Sequence, residues 1–196
     1  GGSTWKPAVA GLAELDVRRK MEEGMPTTIY RPAVVVGDSK TGETQKYDGP
    51  YYVIRWLLKQ PTLAFLPVPG HPDRTRINLV PRDFVVAAID ALSQAKHSAG
   101  RCYQLADPEP PTIAEVIKLM ADATGRAIVQ LPAPLVLAKL AFDKVPGVYK
   151  LMEIPASSVD YFVHPTFYDT TNATRDLAKA GIVCPRFGDY LPNLVA

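Results

Sequence analysis

TIYRPAVVVGDS, residues 28–39, is dense in β-branched and aromatic side chains and stops at Gly37-Asp38-Ser39. Such a run reads as a strand. Its near-continuous apolar character is that of a strand covered on both faces, as in a parallel sheet. Arg31-Pro32 is the exception. Proline has no N–H to give a ladder, so within a sheet it belongs at an edge, at an end or in a bulge. Something must therefore happen to the pairing of this strand near Pro32.

Working outward, Val9, Leu12, Ala13, Val17 and Met21 recur at spacings of three and four. The spacing predicts an amphipathic helix from Pro7 to Glu23, with Pro7 in its first turn and Gly24 at its C-cap. Residues 38–50 are polar and turn-rich, a loop of functional length, and helical spacing follows from Tyr52 through Trp56. INLVPRDFVVAAIDALSQA (77–95) reads as a short strand into a helix, with Pro81 at its start and Asp83 in its first turn, where a carboxylate suits the dipole. GRCYQLAD (100–107) is a strand. Thr112 and Glu115 stand in capping-box spacing ahead of a helix that closes on Gly125. A proline-punctuated strand is predicted over 127–131, helical segments over 135–142 and 149–153, and a short helix capped by Thr171 or Asn172 and ended by Gly181. Beyond it Ile182-Val183 lead into a final loop and turn. Strands alternating with helices give an α/β chain. The second half is richer in loops and prolines, which suggests the end of a parallel sheet and a smaller α/β cap.

The 196 residues carry a net charge of +2, and Lys and Arg are scattered rather than clustered. That excludes the footprint of a nucleic-acid or membrane-surface protein. No apolar run approaches the ~20 residues of a bilayer span; the longest, 131–142, is broken by Pro132, Pro134 and Lys139. No signal peptide is recognisable and GGST (1–4) reads as a linker, so the expected compartment is the cytoplasm. Cys102 and Cys184 lack CxxC spacing, which fits reduced thiols. The three histidines, His71, His97 and His164, stand apart at turn positions, so no metal site is expected. No glycine-rich phosphate loop and no GxSxG elbow occurs, and no residue is assigned a catalytic role. Tyr47, Tyr51, Tyr52 and Trp56 follow the polar loop; they either pack a helix or line a site for an apolar or flat substrate with hydroxyls as polar handles.

The order of elements, and above all RPAVVVG (31–37) followed about fifty residues later by NLVPRDFVVAAI (78–89), resembles the C-terminal part of an extended short-chain dehydrogenase/reductase. The similarity is greatest to the NAD-dependent epimerase/dehydratase and fatty acyl/thioester reductase branch, over about residues 8–194. The resemblance implies the C-terminal remnant of a Rossmann-like parallel sheet, residues 5–107 with a variable substrate loop, and a small α/β substrate-binding cap, residues 108–196. It implies an NAD(P)-dependent oxidoreductase acting on a carbonyl or alcohol of a small or lipid-like substrate. Pro32, Ala33, Val34 and Val35 would form the nicotinamide wall, where backbone past the proline turns toward the crevice at the strand ends; an ordinary bulge is the other reading. Val36, Asp38, Tyr47, Tyr51 and Arg55 would face the substrate.

Two departures bear on activity. The glycine fingerprint is missing, and no Tyr-x-x-x-Lys occurs in the chain; the positions of that pair fall on Lys6 and Ala10, or on Trp5 and Val9. The chain alone is therefore expected to bind no cofactor tightly and to be inactive. The parent is either catalytic through residues not in this chain or a non-catalytic binding or regulatory module of the same fold. The expected partners are a missing N-terminal Rossmann half or a second copy, by dimerisation or strand exchange.

Overall fold

The computed structural model describes residues 7–133 and 167–196. Helix α1 (Pro7–Glu22) leads into two short strands, β1 (Ile29–Pro32) and β2 (Val34–Val36), then α2 (Pro50–Leu58) and β3 (Leu63–Pro69). β4 (Leu79–Pro81) runs directly into α3 (Arg82–Gln94). β5 (Cys102–Leu105), α4 (Ile113–Thr124) and β6 (Ala127–Ala133) follow, and α5 (Thr171–Ala178) and α6 (Phe187–Val195) close the chain. The helices predicted over 135–142 and 149–153 lie outside the described residues.

The strands form three parallel pairs: β1 with β5, β2 with β4, and β3 with β6. RPAVVV thus serves two ladders in succession. The Ala33 amide donates to the Leu105 carbonyl at 3.0 Å, and the next amide, Val34, donates to the Asn78 carbonyl at 3.2 Å. Pro32 sits one residue before the change of partner, where a missing donor costs least. Asn78 joins the ladders from the side. Its amide donates to the Asp107 carbonyl at 2.8 Å and accepts from the Asp107 N–H at 2.9 Å, imitating a strand neighbour.

Burial on both faces does not hold for this strand. Pro32 is exposed and Val35 is 43% exposed, while Ala33 and Val36 are buried. Among the described residues each ladder has only two strands, so each half of the ribbon keeps one unpaired edge. Its buried residues belong to two apolar cores. One joins α2, β3, β4, α4 and α6 through residues such as Leu57, Leu66, Leu79, Met120 and Tyr190. The other joins α3, β5 and α5 around Val80, Leu92, Tyr103, Leu105 and Leu177.

The capping box of α4 forms as its spacing predicts, and Gly125 takes the left-handed conformation at the helix end. LAFLPVP (63–69), to which the sequence assigned no element, is a full strand. Pro67 and Pro69 lie two apart and so share one side of the strand, leaving the intervening N–H groups for β6. Two expectations change. Residues 187–195 form a helix rather than a loop and turn, with Phe187, Tyr190, Leu191 and Leu194 buried at helical spacing despite an internal Pro192. The N-cap of α5 is Thr170, one residue earlier than expected, and the Asp169 carboxylate accepts the Thr171 N–H at 3.0 Å.

Candidate functional site

The turn at the carboxyl end of β2 is held by a dense set of hydrogen bonds. Gly37 follows it, and a Cβ there would stand 2.6 Å from the Gly42 carbonyl and 2.8 Å from the Tyr51 hydroxyl, so only glycine fits. The Gly37 N–H donates to the Tyr51 hydroxyl at 2.7 Å, and its carbonyl accepts the Arg82 N–H at 3.2 Å. Asp38 then folds the chain back. Its carboxylate accepts the N–H groups of Lys40 and Thr41 at 3.0 and 3.1 Å. Those amides, with the Arg82 charge, hold Asp38 below the usual carboxylate range. Ser39 is gripped twice by Asp83, through its N–H at 2.8 Å and its hydroxyl at 2.7 Å. From the other side, the Asn193 amide donates to the Ser39 carbonyl at 2.7 Å.

Residues 37–43 are thus a latch on which α2, α3 and α6 converge, so the first half of the polar loop is tied down by hydrogen bonds. The reason is local chemistry. The Asx turn at Asp38 and the paired bonds from Ser39 to Asp83 satisfy the backbone without burying much apolar surface.

Beside the latch lies a cleft of about 660 Å³, walled by Tyr47, Tyr51, Ile54 and Leu58 of the loop and α2 and by Asn193 and Leu194 of α6. Arg55 and Lys59 stand on its rim. Of the five residues predicted to face substrate, the structure brings Tyr47, Tyr51 and Arg55 together here. Val36 is buried in the core behind the latch, and Asp38 is spent on the turn. Tyr47, 66% exposed, meets the buried Tyr51 ring edge-on with centroids 5.4 Å apart. Burial pushes the Tyr51 hydroxyl above its ordinary pKa. It is an acceptor for backbone rather than a free polar handle.

Pro32, Ala33, Val34 and Val35 stay together on the ribbon where it changes partner. Pro32 and Val35 are both exposed but, three positions apart in extended chain, stand on opposite faces, and Ala33 is buried against the second core. Val34 turns toward Gly49 at the start of α2, its Cγ1 4.0 Å from where a Cβ on that glycine would lie.

A second cavity, of about 1000 Å³, opens along α4 between Arg76, Asp107, Lys118, Tyr168 and Arg186. The Arg186 guanidinium there bridges Asp107 at 2.7 Å and Glu109 at 2.6 Å. It collects none of the predicted site residues. Sequence reading missed Ser39, Asp83 as its holder, and Asn193. Asp83 was legible only as a helix-dipole carboxylate, and Asn193 lay in a segment read as a turn. Among the described residues no group of His, Cys, Asp or Glu is placed to hold a metal ion, and no helix is long and apolar enough to cross a membrane.

Comparison with known proteins fits this architecture. Residues 11–89 match the male sterility protein family of NAD-binding domains. The aldehyde reductase lnbA of Aspergillus flavus is 26% identical over 151 residues, which is 76% of this chain and 14% of that protein. The terminal R domain of the myxalamid PKS-NRPS pathway superposes with a TM-score of 0.68 at 21% identity, covering 91% of this chain and 45% of that one. A UDP-glucuronic acid 4-epimerase from Bacillus cereus, solved with UDP-glucuronic acid and NAD, gives 0.61 at 16% identity over 95% of this chain and 51% of that one. The chain therefore spans a small part of the curated relative and about half of each solved neighbour. The resemblance read from the sequence is supported: the chain has an α/β fold similar to that of NAD-binding reductases and epimerases of the extended short-chain dehydrogenase/reductase kind.

Proposed function

We propose that this chain supplies the nicotinamide wall and the substrate cleft of an NAD(P)-dependent reductase that acts on the carbonyl of an acyl or other apolar chain. One observation carries the reading. At Ala33 the ribbon leaves β5 for β4, and a change of strand partner opens a crevice at the carboxyl ends of an α/β sheet. There the chain exposes Val35 on the face that buries Ala33, without polar side chains and with the end of β2 tied to the Tyr51 hydroxyl at Gly37. That apolar surface suits one face of a nicotinamide ring.

The cofactor would supply the hydride. Val35 and the backbone beside it would bear against its ring, while Tyr47, Ile54 and Leu58 would hold the apolar chain and exclude water from it. The pyrophosphate has no counterpart holder, because no glycine-rich turn occurs among the 196 residues. No Tyr-x-x-x-Lys is present, so the proton transfer is assigned to no residue of this chain. An aldehyde reductase and a terminal R domain among the similar proteins favour an acyl-derived carbonyl over a sugar.

The test is titration of NADPH into the isotopically labelled chain, read by backbone amide shifts. The expected result is weak binding, with a dissociation constant above roughly 100 μM and shifts concentrated at residues 33–35. No shift at those residues at about 10 mM NADPH, a concentration that detects millimolar affinity, overturns the proposal.

A further inference from the structure

The Tyr51 hydroxyl faces two ways at once. Its ring lines the cleft beside Tyr47, while its oxygen accepts the N–H of Gly37, the first residue beyond β2. We propose that Tyr51 is a positioning residue that transmits occupancy of the cleft to the carboxyl end of β2, and so to the wall at Pro32–Val35.

The geometry leaves little slack between the two. Gly37 is enclosed by the Gly42 carbonyl, the Tyr51 hydroxyl and the Glu43 carbonyl, at 2.6, 2.8 and 3.0 Å from an added Cβ. Its carbonyl is tied to the first amide of α3. The latch around it is closed by the Asp38 N–H on the Glu43 carbonyl at 3.0 Å and the Gly42 N–H on the Asp38 carbonyl at 2.9 Å. A group entering the cleft touches Tyr47 and the edge of Tyr51, and a tyrosine ring moves as one rigid plate with its oxygen. Any displacement is therefore delivered to the Gly37 amide rather than absorbed in a flexible side chain. Opposite Tyr51, Asn193 lines the same cleft and bonds the Ser39 carbonyl, so the latch is held from both cleft walls. Coupling of this kind needs a ligand to interact differently with two arrangements of the latch, and the single hydrogen bond from the Gly37 N–H to the Tyr51 hydroxyl distinguishes them.

This inference rests on the reading of the cleft as substrate site and of residues 32–35 as cofactor wall, and the experiment separates them. The probe is the hexanoyl thioester of N-acetylcysteamine, titrated into the labelled chain and into Tyr51→Phe. In the wild type, shifts are expected at Ile54 and Leu194 in the cleft and also at Gly37 and Val35. In Tyr51→Phe the cleft shifts remain, those at Gly37 and Val35 fall at least threefold, and the Gly37 amide exchanges with solvent at least tenfold faster. Equal propagation in both proteins overturns the proposal. So does a wild-type titration in which the cleft responds and Gly37 does not, a result independent of how well the variant folds. If NADPH still moves residues 33–35 in either case, the inference fails alone; if neither ligand produces a shift, both readings fail.

Discussion

Gln60 stands beside Phe65 as a neighbouring strand would. Its side-chain amide donates to the Phe65 carbonyl at 3.1 Å, and its side-chain oxygen accepts the Phe65 N–H at 2.9 Å. The Trp56 indole adds a second donor to the same carbonyl at 3.0 Å. Beyond Phe65 the same edge carries Pro67 and Pro69, which have no N–H to offer. The outer edge of β3 is thereby closed to strand addition, although Leu63 and Phe65 on its outer face are 50% and 44% exposed.

Replacing Gln60 by alanine should reopen that edge. The Phe65 N–H loses its partner and the Phe65 carbonyl keeps only the Trp56 indole, next to exposed apolar residues, a combination that templates pairing between chains. Light scattering at raised temperature should show association of Gln60→Ala under conditions where the parent chain scatters less. Equal scattering from both proteins would remove the protective role assigned to Gln60.

Asn78 gives a second, more costly case of the same device. It is 6% exposed and satisfies both backbone groups of Asp107 where two ladders meet. Alanine leaves a buried N–H and a buried carbonyl without partners, at roughly 1–3 kcal/mol each. Asn78→Ala should therefore lose about 3 kcal/mol in urea unfolding. Asn78→Asp should recover little, because a carboxylate accepts the N–H but offers nothing to the carbonyl. A loss below about 1 kcal/mol would mean that water replaces the side chain.

Elements with a single dominant signal were legible in the sequence. α4 has its capping box and Gly125, and the strand at 28–36 has its β-branched run. What was hidden turned on proline and on pairing. β3 keeps strict alternation, with Ala64, Leu66 and Val68 buried between exposed Leu63 and Phe65. The side of the strand that its two prolines occupy is set by its pairing with β6, Leu63 opposite Ala127, which no local pattern reveals. α6 carries the helical spacing of Phe187, Tyr190, Leu191 and Leu194 with Pro192 inside it. The same limit applies to the site. Tyr47, Tyr51 and Arg55 were chosen for residue type after a polar loop, and the structure gathers them in one cleft. The latch partners Asp83 and Asn193 come from helices 44 and 154 residues beyond Ser39, a separation that no local pattern encodes.

Cys184 should be a slow thiol. Burial, with the Asp107 carboxylate nearby, pushes it up to about 12, and only the thiolate attacks an alkylating reagent. At pH 8 its thiolate fraction is on the order of 10⁻⁴. Mass-spectrometric mapping should find Cys184 unmodified by iodoacetamide in the folded chain and modified promptly in urea. The rate in the folded state should keep rising as pH goes from 8 to 10. Fast labelling at pH 7 would contradict the burial.

Asp176 should govern acid stability. Its carboxylate side chain is fully covered. It accepts from Arg175 at 3.0 and 2.9 Å, from Arg101 at 2.8 Å, from the Tyr103 hydroxyl at 3.0 Å and from Lys179 at 3.3 Å, and His97 lies 3.7 Å away. Hydrogen bonds from Arg175 come first among the causes that hold it far below the ordinary carboxylate range, against a desolvation that opposes them. A carboxyl group whose folded pKa is depressed stabilises the fold fully above its unfolded value of about 3.9, and the contribution is lost as pH falls from there toward the folded value. Its cationic partners sit at 38 to 64% exposure, so removing the negative charge leaves them able to recover water. The cost should then lie near the low end for a broken buried pair, about 3 kcal/mol at pH 7. Asp176→Asn should accordingly unfold at lower urea than the parent between pH 5 and 8 by a constant margin. Below about pH 4 the two curves should converge, since the parent loses there what the variant never had. A margin that persists unchanged down to pH 2.5 would show that Asp176 contributes through packing and neutral hydrogen bonds, not through its charge.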